Sequence, residues 1–324
     1  MSEPAPAMEP DPRPTLDTIR AAAARIRGRV HRTPVLNSRS IDRDLGVPVR
    51  FKCENFQRVG AFKARGATNA VWSLDDATAR RGVATHSSGN HGAALALAAA
   101  ERGIPAWVVV PDNATGVKRD AIARYGARIV DCRPGMAARE AGLARVVEET
   151  GASVVHPYDD QRVIAGQGTA ALELLEDEPE IDLLLCPVGG GGLISGSAIV
   201  AAGCPGEKRV IGCEPAGADD ARRSLLGGER VILDSPATMA DGLRASLGLR
   251  NFHIIRELVD DIVLVEEAEI VAAMRLIWER MKILIEPSAA VPVAALMNGS
   301  IDARASTVGL ILSGGNLDLD KLPW

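Results

Sequence analysis

The stretch DLLLCPVGGGGLISGSAIVAA, residues 182–202, runs an unbroken apolar segment into four glycines and then into a second apolar segment of helical length. An apolar run without polar alternation reads as a strand covered on both faces, the habit of parallel sheets. Glycines let the backbone approach a ligand closely, and a helix that starts beside them aims its first N–H groups at an anion. The stretch therefore reads as strand, phosphate cradle (Gly189, Gly190, Gly191 and Gly192) and helix, with a sharp, tightly packed turn as the ordinary alternative. No GK[ST] follows, so it is not a P-loop. The dinucleotide pattern GxGxxG also fails, because Ile194 or Ser195 stands where the third glycine belongs. Glu214 nevertheless ends the next apolar run, where a ribose-binding acid would sit, and this keeps dinucleotide binding open as the second reading.

The pattern repeats outward from this stretch. Short Val-, Ile- or Leu-rich runs stand at 49–54, 82–86, 106–111, 128–132, 153–157, 209–215, 261–266 and 308–315. Helix-length segments lie between them at 91–103, 117–127, 137–152, 194–202 and 267–281. Strands alternating with helices imply an α/β fold whose parallel sheets carry helices on both faces. Ligands in such folds bind beyond the carboxyl ends of the strands, so the residues after each run are the informative ones.

After GVATH (82–86) comes SSGNHG, in which Ser87, Ser88 and Asn90 bring hydrogen-bonding side chains to the start of an Ala-rich helix. That is an anion site or a plain N-cap, and His91 by itself reads as a packing or capping histidine. In ENFQRVGAFKARG (54–66), Lys63 follows Phe62. Alone it reads as a surface lysine on a first helical turn; the alternative is an amine held in a pocket for covalent chemistry. The last run ends in Ser313, Gly314 and Gly315, a serine able to point into the same crevice or to make an ordinary turn. In GCEPAGADD (212–220), Glu214, Asp219 and Asp220 with loop carbonyls suit a hard cation such as Mg²⁺ or Ca²⁺, unless the Asp pair simply caps the next helix.

Composition narrows the class. The chain has 324 residues, 47% of them hydrophobic, and a net charge of −5. That supplies one large or two ordinary cores and no basic surface for nucleic acid or membrane. No apolar run approaches the roughly 20 residues of a membrane span. The acidic, Pro-rich start (1–15) is expected to be a disordered tail without signal-peptide character. Five cysteines, an odd number with no CxxC, argue against a disulfide framework and fit a reducing cytoplasm.

An amine, a Ser-Gly-Asn loop, a tetraglycine cradle and a terminal SGGN together match the needs of pyridoxal phosphate. In these motifs, and in HPYDDQRVIAGQGT, EPAGADD, ADGLRASLG, WERMKILIEPSAAVPVAAL and LSGGNLDLDKLPW, the chain resembles the fold-type II pyridoxal-phosphate enzymes, the tryptophan synthase β-like group. Within it, the serine racemase, serine/threonine dehydratase and 3-hydroxyaspartate dehydratase branch is most similar. The likeness runs in order from about residue 30 to the C-terminus.

The resemblance implies two α/β domains with the cofactor in the cleft between them: 16–52 with 156–324 as the larger, 53–155 as a smaller, mobile one. It implies Lys63 as the Schiff-base lysine, Phe62 packing near the ring and Asn90 at the ring 3′-oxygen. The N–H groups of Gly189 to Gly192 take the phosphate, and Ser313 meets the pyridine nitrogen. Ser88, with Ser87, Asn90 and His91, lines the substrate side, and Arg139 stands near the substrate. Glu214, Asp220 and the carbonyl of Ala218 match a divalent-cation site for Mg²⁺, or Ca²⁺ or Mn²⁺. A cytoplasmic homodimer is expected.

The implied reaction is β-elimination from a hydroxy amino acid such as L-threonine or L-serine, giving a 2-oxo acid and ammonia. Two alternatives share the chemistry, 3-hydroxyaspartate dehydratase and serine racemase; Ser88 is the opposite-face acid/base that racemisation needs. Tyr158 stands where animal racemases carry Asn, and Ala245 where the racemase carries Ser, which favours elimination. A second substrate carboxylate would need a cation, with Arg139, Arg244 and Arg250 as candidates. From other classes, an NAD-linked oxidoreductase and a non-catalytic amino-acid-binding protein stay open. The chain ends just past SGGN, so control through an appended regulatory domain is not expected.

Overall fold

Two sheets organise the chain in the computed structural model, which describes residues 13–114 and 116–324. The strands are β1 (Val35–Leu36), β2 (Val49–Cys53), β3 (Val83–His86), β4 (Ala106–Pro111), β5 (Arg128–Cys132), β6 (Ser153–Val154), β7 (Leu183–Pro187), β8 (Arg209–Pro215), β9 (Asp261–Val265) and β10 (Val308–Leu312). The helices of the first half are α1 (Leu16–Ile26), α2 (Arg39–Leu45), α3 (Lys63–Trp72), α4 (Asp76–Arg80), α5 (Asn90–Arg102), α6 (Gly116–Arg124) and α7 (Met136–Thr150). Those of the second are α8 (Gln161–Asp177), α9 (Gly192–Gly203), α10 (Asp220–Gly227), α11 (Leu249–Leu258), α12 (Glu267–Met281) and α13 (Pro287–Met297). Among the described residues no helix is long and apolar enough to cross a membrane.

The six-stranded sheet has the order β1-β2-β10-β7-β8-β9, and the four-stranded sheet the order β5-β4-β3-β6. Every pairing is parallel except β1 with β2. That short antiparallel edge is invisible in the sequence, because two residues carry no readable periodicity. Side chains alternate across the larger sheet with the strand period of two. Leu183, Leu185, Leu310 and Leu312 join the layer of α12 and α13. Leu184 and Ile311 join the opposite layer, with Ile19 of α1, Ile164 of α8 and Ile194 of α9. The smaller sheet is covered likewise: Val83 packs with α3 and α5, Ala84 and Val109 with α7. Of the expected tail, residues 1–12 lie outside the described residues. Arg13 ion-pairs with Glu257, and Thr15 caps α1 with a reciprocal bond to Thr18.

One helix links the two halves of the cleft. On α8, Gly166 meets Gly66 of α3, where an added Cβ would lie 2.6 Å from the Gly66 Cα. Gly168 on the same helix meets Gly196 of α9, where a Cβ would lie 2.6 Å from the Gly168 nitrogen. Behind α3 sits a closed ion cluster. Arg65, fully buried, donates to Glu54 at 2.7 and 2.8 Å and to Glu173 at 2.8 Å twice. Lys52, also fully buried, donates to Glu173 at 2.7 Å and to the Thr33 carbonyl at 2.8 Å. Burial pushes the Glu173 carboxyl up, but Arg65 and Lys52 outweigh it and hold that carboxyl below its usual range.

Candidate active site

Lys63 opens α3, and its Nζ donates to the Pro157 carbonyl at 2.8 Å and stands 5.1 Å from the centre of the Phe62 ring. Burial of the amine pulls its pKa down to about 8, against Glu286, whose charge pulls it up. A lysine tuned this way keeps a useful fraction of nucleophilic free amine near neutral pH. Pro157 leads into Tyr158, whose ring covers Gly190 so closely that any Cβ there would run into it. Gly191 has φ +91°, a left-handed conformation that glycine adopts without strain, and it starts α9. The cradle thus opens onto the first turn of a helix, as anion binding requires.

Ser313, 2% exposed, reaches the same place from the end of β10; its carbonyl accepts the Phe62 N–H at 3.0 Å. The strand end runs on into a polar knot. Asn90 at the start of α5 donates to both oxygens of Glu286 at 3.2 Å, and the Asn316 N–H donates to Glu286 at 3.1 Å. Asn316 Nδ2 donates to Asn90 at 3.0 Å and to the Val59 carbonyl at 2.6 Å. Val59 has φ 54°, a strained conformation for a β-branched residue that these bonds help to hold.

The remaining SSGN residues lie at the mouth. Ser87 accepts the Gly89 N–H at 3.4 Å, and Ser88 is half-buried. His91 is buried, with Nε2 3.2 Å from the Val155 carbonyl. A carbonyl only accepts, so Nε2 carries the proton, and among the described residues the buried Nδ1 has no partner. Burial, then the Lys63 charge, holds His91 neutral. His86 and His156 meet edge to face at 5.3 Å, and burial pulls His156 down to about 4. Arg139, on the first turn of α7, helps depress His86 after burial has done most of it. Arg244 instead donates to the Thr238 carbonyl at 2.9 and 2.5 Å, and Arg250 to that of Asp159 at 3.4 Å.

Beyond the cradle, Glu214 at the end of β8 accepts the N–H groups of Ala221 at 3.0 Å and Arg222 at 2.8 Å. Asp220 accepts the Leu247 N–H at 3.0 Å. Burial and then the Asp220 charge push Glu214 up to about 9, and burial pushes Asp220 up to about 6. The Asp220 charge acts on Glu214, and Ala218 is buried between them in sequence; among the described residues no third ligating side chain joins them.

Sequence reasoning brought these motifs to one cleft and missed Glu286 as a participant. Its signal was an acid just before the first-turn proline of α13; the side chain makes no cap for its own helix and turns to the cleft instead. It missed Tyr158 as the wall of the cradle and Asn251, which donates to the carbonyls of Gly190 at 2.7 Å and Tyr158 at 3.0 Å.

The residues fit pyridoxal phosphate: a desolvated amine, a cradle without side chains at a helix N-terminus, and a buried hydroxyl beside them. Comparison with known proteins agrees. The family model for pyridoxal-phosphate dependent enzymes matches residues 26–314. The beta-hydroxyaspartate dehydratase of Paracoccus denitrificans is 48% identical over 311 residues, 96% of this chain and 99% of that protein. The serine racemase of Homo sapiens is 48% identical over 314 residues, 94% of this chain and 92% of that protein. Among solved structures, maize serine racemase superposes with a TM-score of 0.93 at 47% identity, covering 94% of each chain. The processed form of threonine deaminase isoform 2 from Solanum lycopersicum superposes with a TM-score of 0.88 at 31% identity, covering 96% of this chain and 93% of that one.

Proposed function

The chain belongs to the pyridoxal-phosphate-dependent enzymes, and from that premise we propose that it catalyses β-elimination from a small hydroxy amino acid, such as L-threonine or L-serine, yielding a 2-oxo acid and ammonia. The observation that carries this reading is the placement of the Lys63 amine: it donates to the Pro157 carbonyl at 2.8 Å, next to the Tyr158 ring that covers Gly190, and it follows Phe62, whose N–H is held by Ser313. Pyridoxal phosphate, when bound, supplies an aldehyde that takes an amine covalently and a conjugated ring that accepts the electron pair left on Cα. Lys63 is the amine that would hold the aldehyde, and when free the same amine would serve as the base toward the Cα proton. The N–H groups of Gly189 to Gly192 would bind the phosphate, and Asn90, held by Glu286 and Asn316, would serve the ring oxygen. Ser313 would offer the ring nitrogen a hydroxyl, which, unlike a carboxylate, would not hold a protonated ring. In this reading Glu214, Asp220 and the Ala218 carbonyl would hold a Mg²⁺, Ca²⁺ or Mn²⁺ ion, whose charge would offset the burial that pushes both carboxyls up.

The Paracoccus denitrificans relative supports a second reading, 3-hydroxyaspartate as substrate. Of the three arginines eligible for its extra carboxylate, Arg244 and Arg250 are engaged by backbone carbonyls, which leaves Arg139. The deciding experiment is a panel of L- and D-serine, L-threonine and the 3-hydroxyaspartate isomers, read as 2-oxo acid release and as exchange of enantiomers. Release from L-threonine or L-serine supports elimination as proposed. Release confined to 3-hydroxyaspartate moves the assignment to the second reading, and enantiomer exchange without release makes the enzyme a racemase. Ser88→Ala is expected to abolish exchange and spare elimination; equal loss of both removes the opposite-face role of Ser88.

A further inference from the structure

The helix that presents Lys63 has no side-chain cap, since Phe62 at its N-cap position accepts nothing through its ring. Backbone carbonyls take its first N–H groups, Ala64 donating to Ala61 at 3.2 Å and Arg65 to Phe62 at 3.0 Å. The next acceptor comes from α8. Gln167 is fully buried there, and its Oε1 accepts the Gly66 N–H at 3.1 Å across 101 residues of sequence. A backbone N–H can only donate, so the amide oxygen is the atom that faces it.

Gln167 is a costly residue for that position. Among the described residues its buried Nε2 has no partner, and an unsatisfied buried amide costs about 1–3 kcal/mol, a cost that any apolar residue would avoid. Nor is there slack in the contact: a Cβ on Gly66 would lie 2.5 Å from Nε2 and 2.8 Å from the Val163 carbonyl. One residue further along α8, Gly168 meets Gly196 of α9, the helix that begins at the cradle. The capping oxygen and the contact with the cradle helix are therefore borne by neighbouring residues of one rigid element.

We propose that Gln167 is a positioning residue for Lys63: its side-chain oxygen caps the first turn of α3 and fixes the amine relative to the glycine cradle. The inference rests on the reading of Lys63 as the amine that carries the cofactor.

The test compares Gln167→Met, which keeps the volume and removes the acceptor, with Gln167→Glu, which keeps an acceptor oxygen. In the cofactor-free protein, amide exchange at Gly66 is expected to speed at least about tenfold in the Met variant, with the sheet amides unchanged. In the holoenzyme, kcat is expected to fall about tenfold to a hundredfold with KM within about twofold, since a misplacement of about 1 Å has that effect. The visible circular-dichroism band of the bound cofactor is expected to weaken, and Gln167→Glu to recover all three readouts. If Gln167→Met does not fold, Gln167→Asn, one methylene too short to reach, takes its place. Wild-type kcat, dichroism and exchange in the acceptor-less variant overturn the proposal. So does equal loss in the Met and Glu variants, or a lowered melting point as the sole change. If the wild-type protein carries no cofactor on Lys63, the functional reading fails by itself, while the exchange measurement still decides whether Gln167 caps α3.

Discussion

Lys63 and Arg65 are two cations two residues apart on one helix, and their surroundings divide the molecule into a closed region and an open one. Arg65 looks away from the cleft into a cluster in which two cations, Arg65 and Lys52, balance two carboxylates, Glu54 and Glu173. Lys63 looks into the cleft, where it has one carbonyl partner and a depressed pKa. The acid pair Glu214 and Asp220 is of the open kind as well: its oxygens accept backbone N–H groups, and among the described residues no ion pair engages either side chain. A balanced buried cluster holds elements in place, whereas an unbalanced one marks where a ligand or a reacting group is to be sought.

Removing the open cation has the largest expected effect on turnover. Lys63→Ala is expected to leave less than about a thousandth of wild-type turnover, with the fold retained, because covalent attachment and the base are lost together. Removing the closed cation acts on stability instead. Arg65→Met leaves two buried carboxylates facing Lys52 alone and is expected to destabilise by about 3–5 kcal/mol. That corresponds to a melting midpoint lower by roughly 10 °C in a thermal scan. A turnover loss in Arg65→Met without a loss of stability would erase the distinction between the two regions.

The acid pair gives the next effect. With Mg²⁺ at about a hundred times its Kd, the wild-type protein is expected to gain about 2.7 kcal/mol, an increment that chelator removes and Glu214→Ala lacks. An identical melting point with Mg²⁺ and with chelator would make the pair a structural feature only. The smallest effect is on rate against pH. Below its pKa of about 8, the free-amine fraction of Lys63 rises about tenfold per pH unit, and above it the fraction is nearly complete. Capture of pyridoxal phosphate by cofactor-free protein should therefore accelerate up to about pH 8 and level off. A rise continuing toward pH 10 would mean an ordinary exposed lysine.

Much of the fold was legible because its strands are short, apolar and closed by turn residues: 82–86, 106–111, 128–132, 209–215 and 261–266 all contain observed strands. The helix α8 was harder to read. Its two glycines and central Gln167 break an apolar stripe, and their reason is contact with α3 and α9 that no local pattern encodes. The helix α13 carries an internal proline, Pro292, which reads as a breaker. In the site, Lys63, Asn90, the glycines and Ser313 were legible because each follows a strand end or opens a helix. Glu286, His156 and Gln167 were not, since their roles depend on burial or on partners more than about 60 residues away, and both arise only on folding.

The covalent role of Lys63 is read out by treating the purified holoenzyme with borohydride and mapping the modified peptide by mass spectrometry. Loss of the visible band and a pyridoxyl adduct on Lys63 are expected, absent from Lys63→Ala and absent from Lys52, whose amine is taken up by Glu173 and the Thr33 carbonyl. An adduct on any other lysine, or an active enzyme with Lys63 unmodified after reduction, would contradict that role.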